Sequence, residues 1–309
     1  MQRKFVAVDQ YWNVGQAIDY LRSNKKNLPE DFYDIFLINV NNKVIGVVPL
    51  GRLMGSRREI NLSTITNKEK RLIDVNTDQE EVAYLFSKYG LVSAAVIDDN
   101  EKIIGSITVD DVVEVIEEER EEDILKLGGV GQTDIYNAVI DTTKSRFSWL
   151  LVNLLTAVIA SIVIGIFEAS IEKVVALAIL MPIVASMGGN AGMQTLAVTI
   201  RSLATKDLTK NNFTKNIVKE FNIGVLNGVI FAIISSLIVH LWFDDYILSM
   251  IISISMILTM IVAGLFGILI PVTLKRLNID PAISSSVFVT TITDVIGFVS
   301  FLGVGAYFL

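Results

Sequence analysis

Long apolar runs fill the second half of the chain, whereas the first half alternates between short apolar and polar stretches. An α-helix rises about 1.5 Å per residue, so about 20 apolar residues cross a bilayer core of roughly 30 Å. Five runs approach or exceed that length, and we expect each to be a membrane-spanning helix. They cover residues 149–167, 174–200, 221–243, 247–274 and 283–309.

The first half contains an internal repeat with an offset of about 60 residues. Each copy has a helical pattern, then two β-branched runs around a polar turn, at residues 41–43 in the first copy and 99–101 in the second. This predicts a helix, a β-hairpin and a closing helix, twice over. The ordered repetition resembles a tandem cystathionine-β-synthase (CBS) domain pair.

The predicted fold class is therefore an α+β CBS pair followed by an all-α membrane domain of five transmembrane helices. We assign residues 1–65 to the first CBS motif and 66–127 to the second. Residues 128–148 form a connecting segment, and residues 149–309 form the membrane domain.

Charge is unevenly distributed between the two halves. Residues 1–148 contain 18 Lys and Arg against 25 Asp and Glu, whereas residues 149–309 contain 8 of each class, so the net charge of −7 lies entirely in the first half. An acidic domain of this kind argues against nucleic acid as a partner and favours cations. The chain has no cysteine, which excludes disulfides and thiolate metal sites.

The acidic residues are concentrated in one predicted helix over residues 110–127. Between Asp110 and Asp123 nine carboxylates accompany the single base Arg120. Like charges at i,i+4 repel, and such runs are usually solvated helix faces. Because this helix leads from the CBS pair towards the membrane, and carboxylates are preferred ligands of Mg²⁺ and Ca²⁺, we interpret it as a divalent-cation sensor.

The second span contains the stretch 182–194, which combines a proline, three glycines, Asn190 and Gln194. Broken polar backbone is tolerated at membrane depth only where it is buried in protein or lines a wet cavity. We therefore expect a break in this helix beside a pore. For Gly188 and Gly192 alone, a helix-packing role is the better interpretation.

Asp294 is the one ionisable residue predicted deep inside a span. A carboxylate near the bilayer centre costs about 2.5 to 3.5 kcal/mol on the insertion scale and usually marks an ion path. No lysine or arginine lies in any of the five runs, so a structural ion pair is disfavoured. A transported cation is the natural partner.

The loops predict the orientation. Lys and Arg residues are concentrated in the loop after the second run and the loop after the fourth, whereas the other two loops are acidic or nearly uncharged. By the positive-inside rule the basic loops and the CBS pair are cytoplasmic and the C-terminus lies outside. The N-terminus has no apolar signal-peptide region.

A Ser/Thr-x-x-Asp pattern follows the second hairpin, at Thr108 and Asp111. In CBS pairs this pattern often binds the ribose of an adenosine nucleotide, so ATP is a candidate ligand. The first copy lacks the pattern. In the alternative interpretation, the acids simply open the next helix, where they favour the helix dipole.

Three segments carry a more specific resemblance: residues 182–194, the sequence Asp280-Pro281-Ala282, and residues 290–297. Together with the order of an acidic CBS pair, a connecting segment and five spans, they resemble the MgtE family of magnesium transporters and channels. The resemblance implies a homodimer with a pore on its two-fold axis, lined by the second and fifth helices. It places hydrated Mg²⁺ at Asp294, with the Thr290 carbonyl beside it and Asn190 facing the pore.

The resemblance also implies regulation of this channel. Segment 128–148 would act as a plug, held shut by intracellular Mg²⁺ bound at acids of the CBS and plug region. The matching positions are Asp111, Glu114, Glu119, Glu122, Asp123 and Asp280. The family usually has a helical domain ahead of its CBS pair, whereas this chain begins almost at the first CBS strand. We therefore expect either a natural short form without that domain or a truncated piece of a longer protein.

The expected function is a Mg²⁺ channel of the inner (plasma) membrane, with Mg²⁺ as its ligand and ATP as a candidate second ligand. No P-loop sequence G-x-x-x-x-G-K-[ST] is present, and no catalytic constellation can be assembled, so we do not expect an enzyme. Two alternatives remain open: a proton-coupled divalent-cation exchanger, and a non-transporting membrane receptor in which the CBS pair senses nucleotide.

Overall fold

A computed structural model describes residues 1–67, 72–130 and 138–309. The chain divides into two compact units, Met1–Arg120 and Glu121–Leu309, and the division falls inside one helix. The predicted connecting segment lies partly outside the described residues, which omit 131–137.

The first unit contains two copies of one small fold. The first copy consists of β1 (Ala7–Asp9), α1 (Val14–Ser23), β2 (Asp34–Ile38), β3 (Val44–Pro49), α2 (Leu50–Met54) and α3 (Leu62–Ile65). The second consists of β4 (Leu72–Asp74), α4 (Gln79–Tyr89), β5 (Ser93–Ile97), β6 (Ile103–Thr108) and α5 (Val109–Leu127). In each copy the first strand pairs parallel with the second, and the second pairs antiparallel with the third.

Equivalent irregularities confirm the repeat. The hairpin register shifts between Leu37 and Ile38 in the first copy and between Val96 and Ile97 in the second. Both predicted turns contain a residue with positive φ, Asn42 at 60° and Glu101 at 61°. The fold thus has the predicted CBS arrangement, with the addition of the short parallel strands β1 and β4.

The second unit is helical: α6 (Val139–Ile166), α7 (Glu168–Lys173), α8 (Ala176–Ala204), α9 (Phe213–Phe243), α10 (Tyr246–Arg276) and α11 (Pro281–Phe308). All but α7 contain windows long and apolar enough to span a membrane, and they number five within the described residues, as predicted. Helix α6 begins ten residues before the predicted span and α9 eight residues before it. Hydropathy therefore marks the lipid-crossing part of each helix but not its full length.

Helix α10 forms the centre of the second unit. It packs against α8, α9 and α11, and 44% of its apolar window is buried, compared with 6% for α6. Helix α11 also packs on α8 and α6. Helices α8 and α11, which carry the predicted pore residues, therefore share one packed layer.

Candidate functional site

Asp294 lies at the midpoint of α11, as the fourteenth of its 28 residues. The residue is partly buried. In the part of the chain that the structure describes, no hydrogen bond or ion pair engages its carboxylate. A carboxylate at this depth is costly unless it is hydrated or paired with a cation.

Thr290 lies one helical turn before Asp294. Its hydroxyl donates to the carbonyl oxygens of Ser286 and Val287, at 3.0 and 3.1 Å. Its own carbonyl oxygen, the predicted ion ligand, accepts a hydrogen bond from the Thr293 hydroxyl at 2.9 Å. A carbonyl oxygen has two lone pairs. In Thr290 the backbone hydrogen bond of the helix and the bond from the Thr293 hydroxyl already use both.

The predicted break in α8 does not occur. The helix continues from Ala176 to Ala204 through Pro182 and the three glycines. Two of those glycines have the packing role instead: a Cβ on Gly188 would collide with Thr259, and a Cβ on Gly192 would lie 2.6 Å from Val289 Cγ1. The glycines therefore permit close approach of α10 and α11, and the expectation of broken backbone is wrong.

A polar stripe, formed by Ser186, Asn190 and Gln194, runs along the opposite side of α8. All three residues are exposed, and Asn190 Nδ2 lies 3.4 Å from Ser186 Oγ. Spacing of four residues places them on one helix face. An exposed amide stripe at membrane depth requires water or protein to cover it, because lipid offers no hydrogen-bond partner.

The stripe and Asp294 are carried by one helix pair. Gly188 lies beside Thr293, where a Cβ would be 3.6 Å from Thr293 Cβ. Gly297 lies equally close to Val184 of α8. The packing therefore holds α8 and α11 in fixed register over the turns that bear Asn190, Thr290 and Asp294.

Sequence analysis missed Glu220, because the predicted third span began one residue later. Its carboxylate accepts a hydrogen bond from the Thr195 hydroxyl of α8 at 3.0 Å. It also lines a cavity of about 200 Å³ together with Thr199, Ser202 and Asn216. The bond joins α9 to the helix that carries the polar stripe; an acid directly before an apolar run was the available signal.

The predicted regulatory acids are spread along α5 and do not meet at one point. Glu119 accepts a hydrogen bond from Gln79, at 2.5 Å, and Glu114 is exposed. Asp111 lies 3.4 Å from the Thr108 hydroxyl, and Asp123 also has a partner. Among the described residues, no three His, Asp or Glu side chains converge to hold a metal ion.

Lys126 is a second residue that sequence analysis missed. Its ammonium group lies 2.6 Å from Glu122 and 2.7 Å from Asp280. Asp280 also accepts the backbone N–H of Ala282 at 2.9 Å, which caps the first turn of α11. Two of the predicted Mg²⁺ ligands are thus paired with an internal cation; the i,i+4 spacing of Glu122 and Lys126 was the visible signal.

The predicted nucleotide residues lie together but are satisfied internally. Thr108 is buried and accepts a hydrogen bond from Gln2 Nε2 at 3.2 Å, and its hydroxyl lies beside Asp111. Thr108 also lines a crevice with Tyr33, Asp34 and Ser93 that has a volume of only about 10 Å³. This volume is smaller than an adenine ring, so the crevice would have to widen to admit a nucleotide.

Comparison with known proteins matches both parts of the chain. The MgtE family of divalent cation transporters matches residues 181–304, and the CBS domain family matches residues 62–118. The magnesium transporter MgtE of Thermus thermophilus is 32% identical over 313 aligned residues, which cover all of this chain and 69% of that protein. The chain belongs to the MgtE family.

Other MgtE proteins are also similar to this chain. The magnesium transporter MgtE of Bacillus subtilis is 29% identical and is covered over 68% of its length, again by the whole of this chain. The cytosolic domain of the Mg²⁺ channel MgtE, crystallised with ATP, matches with 29% identity and a TM-score of 0.35, over 37% of this chain and 45% of that one. MgtE proteins are transporters, which confirms that this chain is not an enzyme.

Proposed function

We propose that this chain forms a Mg²⁺-selective channel in the plasma membrane. The observation that supports it best is Asp294, a carboxylate at the midpoint of a spanning helix with no partner among the described residues. Magnesium dehydrates reluctantly and keeps several waters when it binds. A carboxylate facing a water-filled path can bind that hydrated ion through its water shell and favour it over monovalent ions.

The polar stripe supports a pore between two copies of the chain. Ser186, Asn190 and Gln194 are exposed on a single chain, and a homodimer with its two-fold axis along this face would cover them with water and protein. The amide of Asn190 then supplies a neutral oxygen to the pore, and the carbonyl of Thr290 supplies another when the Thr293 hydroxyl releases it. The complete filter contains two carboxylates, one from each copy.

The orientation follows from the odd number of spans and the basic loops. An odd number of spans, five among the described residues, supports termini on opposite sides of the membrane. The positive-inside rule places the CBS pair in the cytoplasm and the C-terminus outside. The acids of α5 then face cytoplasmic Mg²⁺. We propose that Mg²⁺ at Asp111, Glu114, Glu119 and Asp123 holds the channel shut, and that Glu122 and Asp280 bind it only when Lys126 no longer pairs with them. Among the described residues no three acids converge within one chain, and we propose that ligands from both copies complete these sites.

We propose ATP as a modulator of the CBS pair. Thr108 and Asp111 supply a hydroxyl and a carboxylate for ribose, and the crevice at Thr108 must widen to admit the base. Calorimetric titration of the whole chain with ATP tests this. Thr108→Val should abolish the binding heat. Unchanged binding by this variant would show that the nucleotide binds at another site.

Mg²⁺ flux into proteoliposomes tests the pore assignment. We expect Asp294→Asn to lower flux by about tenfold or more, since losing roughly 1.4 kcal/mol of ion stabilisation corresponds to a factor of ten. Asp244→Asn is the matched control: it removes the same charge from the loop after α9, where asparagine tolerates the observed φ of 52°.

Three outcomes would redirect the proposal. Equal flux in wild type and Asp294→Asn would exclude Asp294 as the filter. Flux that requires an opposing proton gradient would favour the exchanger over the channel. Absence of flux from well-folded wild-type protein would favour the receptor that senses nucleotide without transport.

A further inference from the structure

A partly buried ion pair joins the last turn of α5 to the start of α11 within the second unit. Lys126 is 22% exposed, whereas Lys43, which makes a pair of the same length with Glu101, is 43% exposed. The Lys126 ammonium joins two carboxylates at once, Glu122 on its own helix and Asp280 at the start of α11. Partial burial strengthens such a bridge, because screening by water is reduced.

Two apolar contacts hold the same turn. Leu127 packs against the buried cluster of Leu196, Ile200, Ala282 and Val289, which belongs to α8 and α11. Gly129 has a φ of +67°, and a side chain there would collide with the indole of Trp149 on α6. The segment Lys126–Gly129 therefore contacts three helices of the membrane unit.

We propose that Lys126 is a built-in latch, which ties the end of α5 to the first turn of α11 without a metal ion. The ammonium occupies the place between Glu122 and Asp280 where a divalent cation would otherwise bridge the two carboxylates. Mg²⁺ can use this pair only after Lys126 has left it. Regulation by Mg²⁺ then acts through the other acids, on a segment already docked. The inference rests on the proposed function only in taking α11 as a pore helix.

Trp149 provides a measurement that does not depend on transport. In a full-length chain with Trp12→Phe and Trp242→Phe, Trp149 is the only tryptophan, and its contact with Gly129 reports docking of the segment. Acrylamide quenching is measured in lipid nanodiscs, first in EDTA and then with added MgCl₂. With Lys126 present, we expect Trp149 to remain protected in EDTA.

Two substitutions remove the latch in different ways. Lys126→Met keeps the apolar stem, and Asp280→Asn keeps an oxygen that can cap Ala282 but cannot pair with an ammonium. Both should lose protection of Trp149 in EDTA. Added MgCl₂ should restore protection in Lys126→Met, because Glu122 and Asp280 are then free to bind the ion. The control Lys43→Met removes an equally short pair from the other unit and should leave quenching unchanged.

Equal quenching of wild type and both variants in EDTA would overturn the proposal, as would loss of protection in EDTA by the wild type itself. Flux measured on the same proteins separates this failure from failure of the channel assignment. A wild type without flux in which Trp149 protection still depends on Lys126 would refute the channel and retain the latch. Flux by the wild type, together with Trp149 protection that does not depend on Lys126, would retain the channel and refute the latch.

Discussion

At the scale of single residues, Asp34 has an environment that opposes its charge. It begins β2, is partly buried, and accepts a hydrogen bond from the Ser93 hydroxyl at 2.6 Å. Burial raises the pKa of its carboxyl group, and the bond from Ser93 only partly offsets this. The ionised side chain therefore lowers the stability of the first unit at neutral pH, which is a cost typical of ligand-binding positions rather than structural ones.

Substitution of Asp34 by asparagine should stabilise the first unit at pH 7. Because the folded pKa is raised, the cost of the carboxylate declines as the pH falls through that value, so the advantage should vanish below about pH 4. Thermal unfolding of the full chain, followed by Trp12 fluorescence in a Trp149→Phe, Trp242→Phe background, measures it. Glu30→Gln, which replaces an exposed carboxyl group by an amide, is the control, and a destabilised Asp34→Asn would contradict the argument.

The Thr195–Glu220 bond gives a second prediction at this scale. Thr195→Val removes the donor from a charged acceptor and should destabilise the membrane unit by about 1 to 3 kcal/mol. Thr195→Ser retains a hydroxyl and should preserve most of that stability. Denaturant unfolding in detergent measures both, and equal stability of the two variants would show that water in the adjoining cavity satisfies Glu220 instead.

At the scale of secondary-structure elements, α8 has two functional faces. Gly188 and Gly192 lie on the packed face, against α10 and α11, whereas no atom lies within 4 Å of a Cβ built on Gly189. Glycine therefore permits close helix packing at position 188, whereas the adjacent Gly189 borders open space.

Adjacent alanine substitutions should separate these faces. Gly188→Ala should cost about 1 to 3 kcal/mol, because the added methyl group meets Thr259 in a filled interior. Gly189→Ala should leave stability unchanged or raise it by up to about 1 kcal/mol, as alanine favours the helix. Thermal unfolding in detergent compares them, and equal destabilisation would mean that a second copy of the chain also packs against Gly189.

Long elements were predictable from the sequence, whereas short and non-local features were not. Five spans and two hairpins follow from apolar runs and turn residues, and both were found. The strands β1 and β4 have three residues each, too few to show a period, and their pairing is fixed by distant partners. Asp294 was identifiable because a lone acid in an apolar run is conspicuous. The pairing of Lys126 with Asp280, 154 residues away, was not.

At the scale of the whole molecule, the proposed pore is an assembly property. Asn190 and Gln194 are exposed on one chain, and only a second copy and water can cover them within the bilayer. The absence of native cysteines permits a direct measurement of which surface is wet, because an introduced cysteine is the only thiol.

Cysteines on the polar stripe should react with a water-soluble methanethiosulfonate reagent. Asn190→Cys and Gln194→Cys should be modified in proteoliposomes, because thiols ionise and react only in contact with water. Leu226 on α9 is 63% exposed and apolar, so we expect it to face lipid and Leu226→Cys to stay unmodified. Protection of all three positions would indicate a dry dimer contact in place of the pore.

Helix α6 is the spanning helix with the least protein around it, since only 6% of its apolar window is buried. Its uncharged part, residues 147–166, is about 30 Å long and matches the hydrocarbon thickness of an average bilayer. Lys144 and Arg146, in the preceding turn, then lie among the lipid headgroups, where each basic residue gains about 1 kcal/mol near anionic lipid. Membrane thickness and anionic lipid content therefore act directly on the helix whose Trp149 contacts the docked end of α5.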